Sequence, residues 1–342
     1  IWAKMVREVL SDSRIQLMTN PPCGGIMSLR QSIAGYLKDF RGMTVQPEQI
    51  IIGAGTEYLY GLLIQLLGHE AVYAVENPGY QKIGKIYRNY QVNWTYIDMD
   101  DEGVEVSQLE EKKVDIVHIS PSHHYPTGIV MPISRRYELL GWAAASANRY
   151  IIEDDYDSEF RYIGKPIPSL QGNDRSGCVI YLGTFSKSIA PAIRISYLVL
   201  PKSLLETYRR IDNVFSSTVS RLDQRVLQLF MEKGYYERHL NKMRALYKSK
   251  HDVLMSEIRK MRGVRQVLGD HSGVHILLQM DSHLTEQELI QRASQAGIKV
   301  YPLSEYCVNE ADYPPTVILG YATLSEEEIR EGVRLLAQAW LS

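Results

Sequence analysis

The sequence predicts an α/β protein: a large domain built on a mostly parallel sheet, and a smaller α+β domain. Three observations carry this expectation. Short apolar runs of strand length recur through the first 200 residues. Segments with apolar residues at helical spacing fall between them. After Pro201 the texture changes to long charged helical stretches, followed by further strand–helix alternations. Parallel neighbours need crossover connections, and crossover helices cover both faces of a sheet, so its strands read as continuous apolar runs.

The elements follow in order. Residues 29–40, LRQSIAGYLKDF, repeat apolar side chains at helical spacing and stop at Arg41-Gly42. QIIIG at 49–53 is a short buried strand; Gly53-Ala54-Gly55-Thr56 follows, then a helix at 57–67. A strand at 71–75 is broken by Asn77-Pro78-Gly79. Strands at 114–120 and 150–154 flank a helix at 134–147, and strands at 179–182 and 195–200 complete the set. Beyond Pro201 the pattern gives helices at 203–229 and 235–261, a strand at 274–280, a helix at 285–296, a strand at 298–301 and a strand–helix pair over 317–341. This divides the chain into a segment 1–42 that joins the small domain, a large domain 43–235 and a C-terminal small domain 236–342.

Composition excludes several classes. A length of 342 residues supports two domains with cores of their own. The formal net charge of −2 gives no bulk electrostatic case for nucleic-acid binding by this segment. Cys23, Cys178 and Cys307 are far apart and fit no metal spacing, which points to a reducing, cytoplasmic setting. No apolar run approaches the roughly 18 residues of a membrane span.

The segment 179–194, VIYLGTFSKSIAPAIR, carries the most chemistry. A buried strand delivers Thr184, Ser186 and Lys187 to its end, and Arg194 follows seven residues after the lysine. A lysine amine forms a Schiff base with an aldehyde. Hydroxyls and a bidentate guanidinium hold a phosphate. Pyridoxal 5′-phosphate (PLP) combines both needs. An isolated Ser-Lys pair is also what a surface turn shows, so the other motifs have to decide.

In Tyr150–Phe160, YIIEDDYDSEF, period-two alternation puts Asp154 and Tyr156 on one face and Glu153, Asp155 and Asp157 on the other. An aspartate facing a pyridine nitrogen favours its protonated form, which makes the ring an electron sink. A solvated acidic turn or a divalent-cation site fits the same carboxylates. GAGTE at 53–57 places glycines and a helix start where phosphate binds. Tyr80 in ENPGY is a candidate to stack on a planar ring. His123 and His124 sit in the loop SPSHHYPTG, with no third ligand at metal spacing. Each motif lies just after a strand, where ligands of such sheets bind.

The order of these motifs resembles the fold-type-I PLP-dependent enzymes, the aspartate aminotransferase superfamily, over nearly the whole chain. The stretches LRQSIAGYL, ENPGY, PSHHYPTG, IIEDDYDSEFRY and GTFSKSIAPAIRISYLVLP resemble the aminotransferase-like effector-binding domain of the MocR/GabR transcriptional regulators, in the bacterial GntR group. The resemblance implies that Lys187 forms the Schiff base, Asp154 pairs with the ring nitrogen, Tyr156 contacts the phenolic oxygen and Tyr80 stacks on the ring. Gly55, Thr56, Thr184, Ser186 and Arg194 would hold the phosphate, and His123 would line the cofactor side of its loop. It further implies a head-to-tail homodimer, and a winged helix-turn-helix that binds DNA from outside this segment; the chain opens on Ile1-Trp2 rather than Met.

Two departures bear on function. Many aminotransferases carry Asn-Pro-Thr-Gly where this chain has Tyr125-Pro126-Thr127-Gly128. The C-terminal strand, Val317-Ile318-Leu319-Gly320, lacks the arginine that commonly binds a substrate carboxylate. Lys82 and Arg14 are the basic candidates to replace it. These features favour a sensor in which a small amino compound forms an external aldimine with PLP, with little or no turnover. A catalytically active aminotransferase is the alternative, and a metal-dependent hydrolase built on the acidic run is a third class.

Overall fold

In the computed structural model, which describes residues 1–12, 17–162, 168–212, 216–281, 283–308 and 313–341, two sheets organise the chain. The first has eight strands: Ile50–Gly53 (β1), Val72–Asn77 (β2), Asn93–Asp100 (β3), Gly103–Val104 (β4), Ile116–Ile119 (β5), Tyr150–Asp155 (β6), Val179–Thr184 (β7) and Ser196–Val199 (β8). Their order across the sheet is β1-β8-β7-β6-β5-β2-β3-β4. β3, β2, β5, β6 and β7 run parallel, while β8 is antiparallel to both β7 and β1. β1 therefore points the same way as β7, and the C-terminal ends of β1, β2, β5, β6 and β7 open on one edge.

The apolar runs are strands because both faces are covered. Ile50 and Ile52, Tyr181, Tyr197 and Val199 enter one apolar cluster, while Ile51, Ile180, Leu182 and Leu198 enter the opposite one. That is the period-two alternation of a pleated strand with no solvent face. The helix Thr56–Leu67 covers one side. Helix Met27–Arg41 covers the other through Leu29, Ile33, Tyr36 and Leu37, and ends where Gly42 turns left-handed at φ 66°.

The second sheet is antiparallel, in the order β11-β12-β10-β9: Val264–Leu268 (β9), His275–Met280 (β10), Tyr301–Pro302 (β11) and Thr316–Gly320 (β12). The helices Tyr235–Ile258, Glu286–Gln295 and Glu326–Leu341 pack with it around a core of its own.

Two differences from the sequence expectation stand out. The helix expected over 203–229 is two, Leu205–Asp212 and Arg221–Glu232. The run Ser216-Ser217-Thr218-Val219-Ser220 interrupts them, since hydroxyl side chains compete for backbone groups, and Ser220 caps the second helix by accepting from Asp223 N. The strand expected at 298–301 is the two-residue edge Tyr301–Pro302. Met5, Val9, Leu29 and Ile33 from residues 1–42 join the cluster with Ile50, Ile52 and Tyr181 under the large sheet, together with Val226, Tyr236 and Leu240 of the later helices.

The end of helix Met27–Arg41 supplies a buried cation. Arg41 Nη2 lies 2.8 Å from Asp155 Oδ2 and donates to Ser122 Oγ at 2.8 Å; the Tyr181 hydroxyl donates to the same Asp155 oxygen at 2.6 Å. Arg41 and Asp155 are 6% and 5% exposed, so neither charge can fall back on water. Arg41→Ala leaves Asp155 buried without its cation, and should cost about 3–5 kcal/mol, read as a lower midpoint in chemical denaturation at unchanged slope.

Candidate functional site

At the common edge of β1, β2, β5, β6 and β7 lies a cleft of about 370 Å³. Thr56, Tyr80, Asp154, Tyr156, Thr184, Ser186, Lys187 and Arg194 line it, so eight of the ten residues proposed for the cofactor from sequence converge there.

The strand register explains the convergence. Ser196, at the start of β8, pairs with Thr184 at the end of β7 and with Gly53 at the end of β1. Its hydroxyl donates to Thr184 Oγ1 at 2.8 Å, and Phe185 N donates to Ile195 O at 3.0 Å. The segment 185–195 is thus closed into a loop that carries Lys187 on one limb and Arg194 on the other. Ser186 N donates to Thr184 Oγ1 at 3.2 Å, which fixes the start of that loop.

Across from it is the turn after β1. Gly55 adopts φ 88°, and a Cβ placed on it would stand 2.3 Å from Arg194 Nη2. Only glycine lets the guanidinium lie against the turn. The helix Thr56–Leu67 starts there without a side-chain cap, leaving its first N–H groups and dipole for an anion. Ala54 N donates to Thr218 Oγ1 at 3.0 Å, so the break between Leu205–Asp212 and Arg221–Glu232 buttresses the same turn.

Opposite these cations, Asp154 is 8% exposed. Its Oδ2 accepts from the Tyr60 hydroxyl at 2.6 Å, while its Oδ1 has no hydrogen-bond partner. The expected alternation of the acidic run holds as far as Tyr156. Glu153 accepts from Leu170 N and Gln171 N on the far side, and Asp155 binds Arg41. β6 ends at Asp155, however, so Asp157 leaves the alternation and meets His123 Nδ1 at 2.9 Å. That bond draws His123 back behind Tyr156, whose hydroxyl is 3.3 Å from the same nitrogen, and His123 is not among the cleft-lining side chains. Burial and the nearby Asp157 hold the Tyr156 phenol well above its usual range, so it is a neutral hydroxyl. Among the described residues no group of three or more His, Cys, Asp and Glu side chains is placed to hold a metal ion.

At the mouth, Lys82 forms an ion pair with Glu57, and Arg194 Nη2 lies 4.0 Å from the same carboxylate. Lys82 lowers the Glu57 carboxyl below its usual range. Arg14 lies outside the described residues. Tyr125 lines the cleft, and its hydroxyl sits 2.9 Å from that of Tyr306, which follows β11 in the second sheet's segment. Sequence reasoning missed Tyr60, His118 and Tyr306. Tyr60 falls four residues after Thr56, on the inner side of that helix, and this spacing was the available signal.

The fold and cleft are those of the PLP-binding aminotransferase class of folds. The sequence pattern described as aminotransferase class I and II matches residues 2–336. The crystal structure of Pyrococcus horikoshii kynurenine aminotransferase in complex with PMP superposes with a TM-score of 0.85 at 25% identity, covering 99% of this chain and 87% of that one. Among sequences, the HTH-type transcriptional regulator YdeL of Bacillus subtilis is 41% identical over 342 residues, covering 99% of this chain and 73% of that protein. The probable rhizopine catabolism regulatory protein MocR of Rhizobium meliloti is 30% identical over 345 residues, covering 100% of this chain and 69% of that protein. The chain belongs to the class I and II aminotransferase family, as an aminotransferase-like domain of the MocR type of regulator. No helix among the described residues is long and apolar enough to cross a membrane.

PLP is the cofactor of this family, and the residues fit it. The phosphate cradle is closed by a glycine with no room for Cβ, and a buried carboxylate oxygen stands unpartnered across the cleft. Gly55→Ala should therefore weaken PLP binding about tenfold or more, because the new methyl strains a positive φ and displaces Arg194. Equilibrium dialysis against PLP checks this, with circular dichroism to confirm that the variant folds.

Proposed function

We propose that this chain is the PLP-binding, effector-sensing domain of a transcriptional regulator, and that it assembles as a homodimer. DNA is read by a helix-turn-helix part outside this segment. The observation that carries the reading is the convergence of Lys187 and Arg194 on one side of a cleft with the unpartnered Oδ1 of Asp154 on the other.

In this reading Thr56, Thr184, Ser186 and Arg194 hold the phosphate, Asp154 faces the ring nitrogen, Tyr156 donates to the phenolic oxygen and Tyr80 packs on the ring. Bound there, PLP supplies an aldehyde that condenses with amines and a ring that withdraws electrons. Lys187 is the resident amine, and an amino-compound effector competes with it. Lys82 is already paired with Glu57, and Val317, Ile318 and Leu319 of β12 are buried and apolar. A cation dedicated to an effector carboxylate is therefore missing from both places, which favours a small amino acid over a dicarboxylate.

Occupancy becomes a signal only if the two sheets respond. A ligand shifts a domain equilibrium by its differential affinity for the two settings. The contacts that respond are those across the cleft mouth: Tyr125 to Tyr306 by their hydroxyls, and Gly79 N and Gln81 Nε2 donating to Tyr306 O at 3.0 and 2.9 Å. Residues 236–342 act as the moving smaller domain.

The test is kinetic. With a panel of amino acids, the visible absorbance of bound PLP should change on binding, while conversion of PLP to its amine form stays absent or very slow. Rapid repeated turnover with a keto acid would instead make the protein a working aminotransferase. Tyr306→Phe should keep its PLP but shift the effector half-saturation by about fivefold, the worth of one hydrogen bond of about 1 kcal/mol, as read by the same absorbance titration.

A further inference from the structure

Behind Asp154 lies a chain of buried polar side chains that the cofactor contacts above do not use. Asp154 Oδ2 accepts from Tyr60 at 2.6 Å, and His118 Nε2, which has no hydrogen-bond partner, faces the same oxygen at 3.5 Å. His118 Nδ1 is 2.9 Å from the Tyr87 hydroxyl. The Tyr60 ring stands edge-on to His118, with centroids 5.0 Å apart. Tyr60, Tyr87 and His118 are at most 4% exposed. They come from three elements: the helix Thr56–Leu67, the helix Gln81–Asn89 and β5.

The chain has a direction. A phenol has one proton, and burial together with the Asp154 charge keeps Tyr60 well above its usual titration range, so it donates. Tyr87 is likewise held neutral by burial. Its hydroxyl is 2.9 Å from His118 Nδ1, and the tautomer in which it donates there carries the ring proton on Nε2, the nitrogen that faces Asp154. Tyr60 donates to Oδ2 and His118 Nε2 stands 3.5 Å from the same oxygen, while Oδ1 has no hydrogen-bond partner.

We propose that Tyr60 and His118 are positioning residues that pin Oδ2 of Asp154 and so present Oδ1 to the ring nitrogen of PLP, with Tyr87 setting which nitrogen of His118 carries the proton. The terminal torsion of aspartate is broad and nearly two-fold, so an unpinned carboxylate would meet the ring in many orientations. Pinning it before the cofactor arrives removes that cost from binding. The inference rests on Asp154 being the partner of the ring nitrogen.

Holoprotein reconstituted with PLP labelled with nitrogen-15 in the ring separates the possibilities. The ring resonance reports protonation directly, and dialysis gives the PLP dissociation constant. For Tyr60→Phe the resonance should move away from its protonated position, and the dissociation constant should rise about tenfold, as expected for a lost bond to a charged group. Tyr87→Phe should move the resonance in the same direction by less. A Tyr60→Phe protein that loses thermal stability but keeps both the resonance and the affinity of the parent would overturn the proposal and leave Tyr60 a packing residue. If Tyr60→Phe does not fold, Tyr87→Phe decides: a shift supports the chain of contacts and an unchanged resonance refutes it. Asp154→Asn is the separate control. An unmoved resonance there would show that the ring nitrogen has another partner, whatever Tyr60 does.

Discussion

Ser196 sits where three strands meet. Its backbone pairs with Gly53 on one side and Thr184 on the other, and its hydroxyl binds Thr184 Oγ1 at 2.8 Å. Because β8 runs opposite to both neighbours, its beginning lies beside their ends. The turn after β1, the loop after β7 and the residue before β8 are thereby forced together. Gly55 is far in sequence from Lys187 and Arg194, yet the Arg194 guanidinium lies against its turn and Lys187 lines the same cleft. A slip of one residue in this register would turn every side chain of β8 to the other face. It would bury Leu198 where Tyr197 belongs and draw Arg194 away from the turn.

The second constraint is the layer of charge inside the sheet. Three adjacent carboxylates of β6 go to three places: Glu153 to backbone N–H groups, Asp155 to Arg41, and Asp154 to the cleft. Burying charge is tolerated only when each ion has donors or a counter-ion. Glu153 accepts from two backbone N–H groups, and Asp155 Oδ2 accepts from Arg41 and Tyr181, away from the cleft, while Asp155 Oδ1 has no partner. Asp154 keeps one oxygen unmatched, and that imbalance is what a protonated ring nitrogen would relieve.

Much of this was legible in the sequence. VIYLGT and IIIG read as buried strands because both of their faces are apolar, and the alternation in Tyr150–Tyr156 put Asp154 and Tyr156 together. The illegible parts share a cause. β3 and β9 lie toward the margins of their sheets, carry polar and half-exposed side chains, and lack the apolar run that marks a covered strand. Alternation stops at the end of β6, so it could not show that Asp157 turns to meet His123. Tyr60 and His118 are single polar residues inside apolar segments, and only the packing of a helix against two strands shows that they face the same carboxylate.

A sensor and an enzyme can share this cleft, since both need the same grip on the cofactor. The difference lies at the mouth, where Tyr125 and Tyr306 join the two sheets and Lys82 is paired with Glu57. Both readings depend on one covalent attachment. The most direct measurement is borohydride reduction of the PLP-loaded protein, followed by proteolysis and mass spectrometry. A phosphopyridoxyl group on the peptide that contains Lys187, lost in Lys187→Ala, is the result predicted. A protein that stays colourless with PLP and yields no adduct at Lys187 would contradict the account.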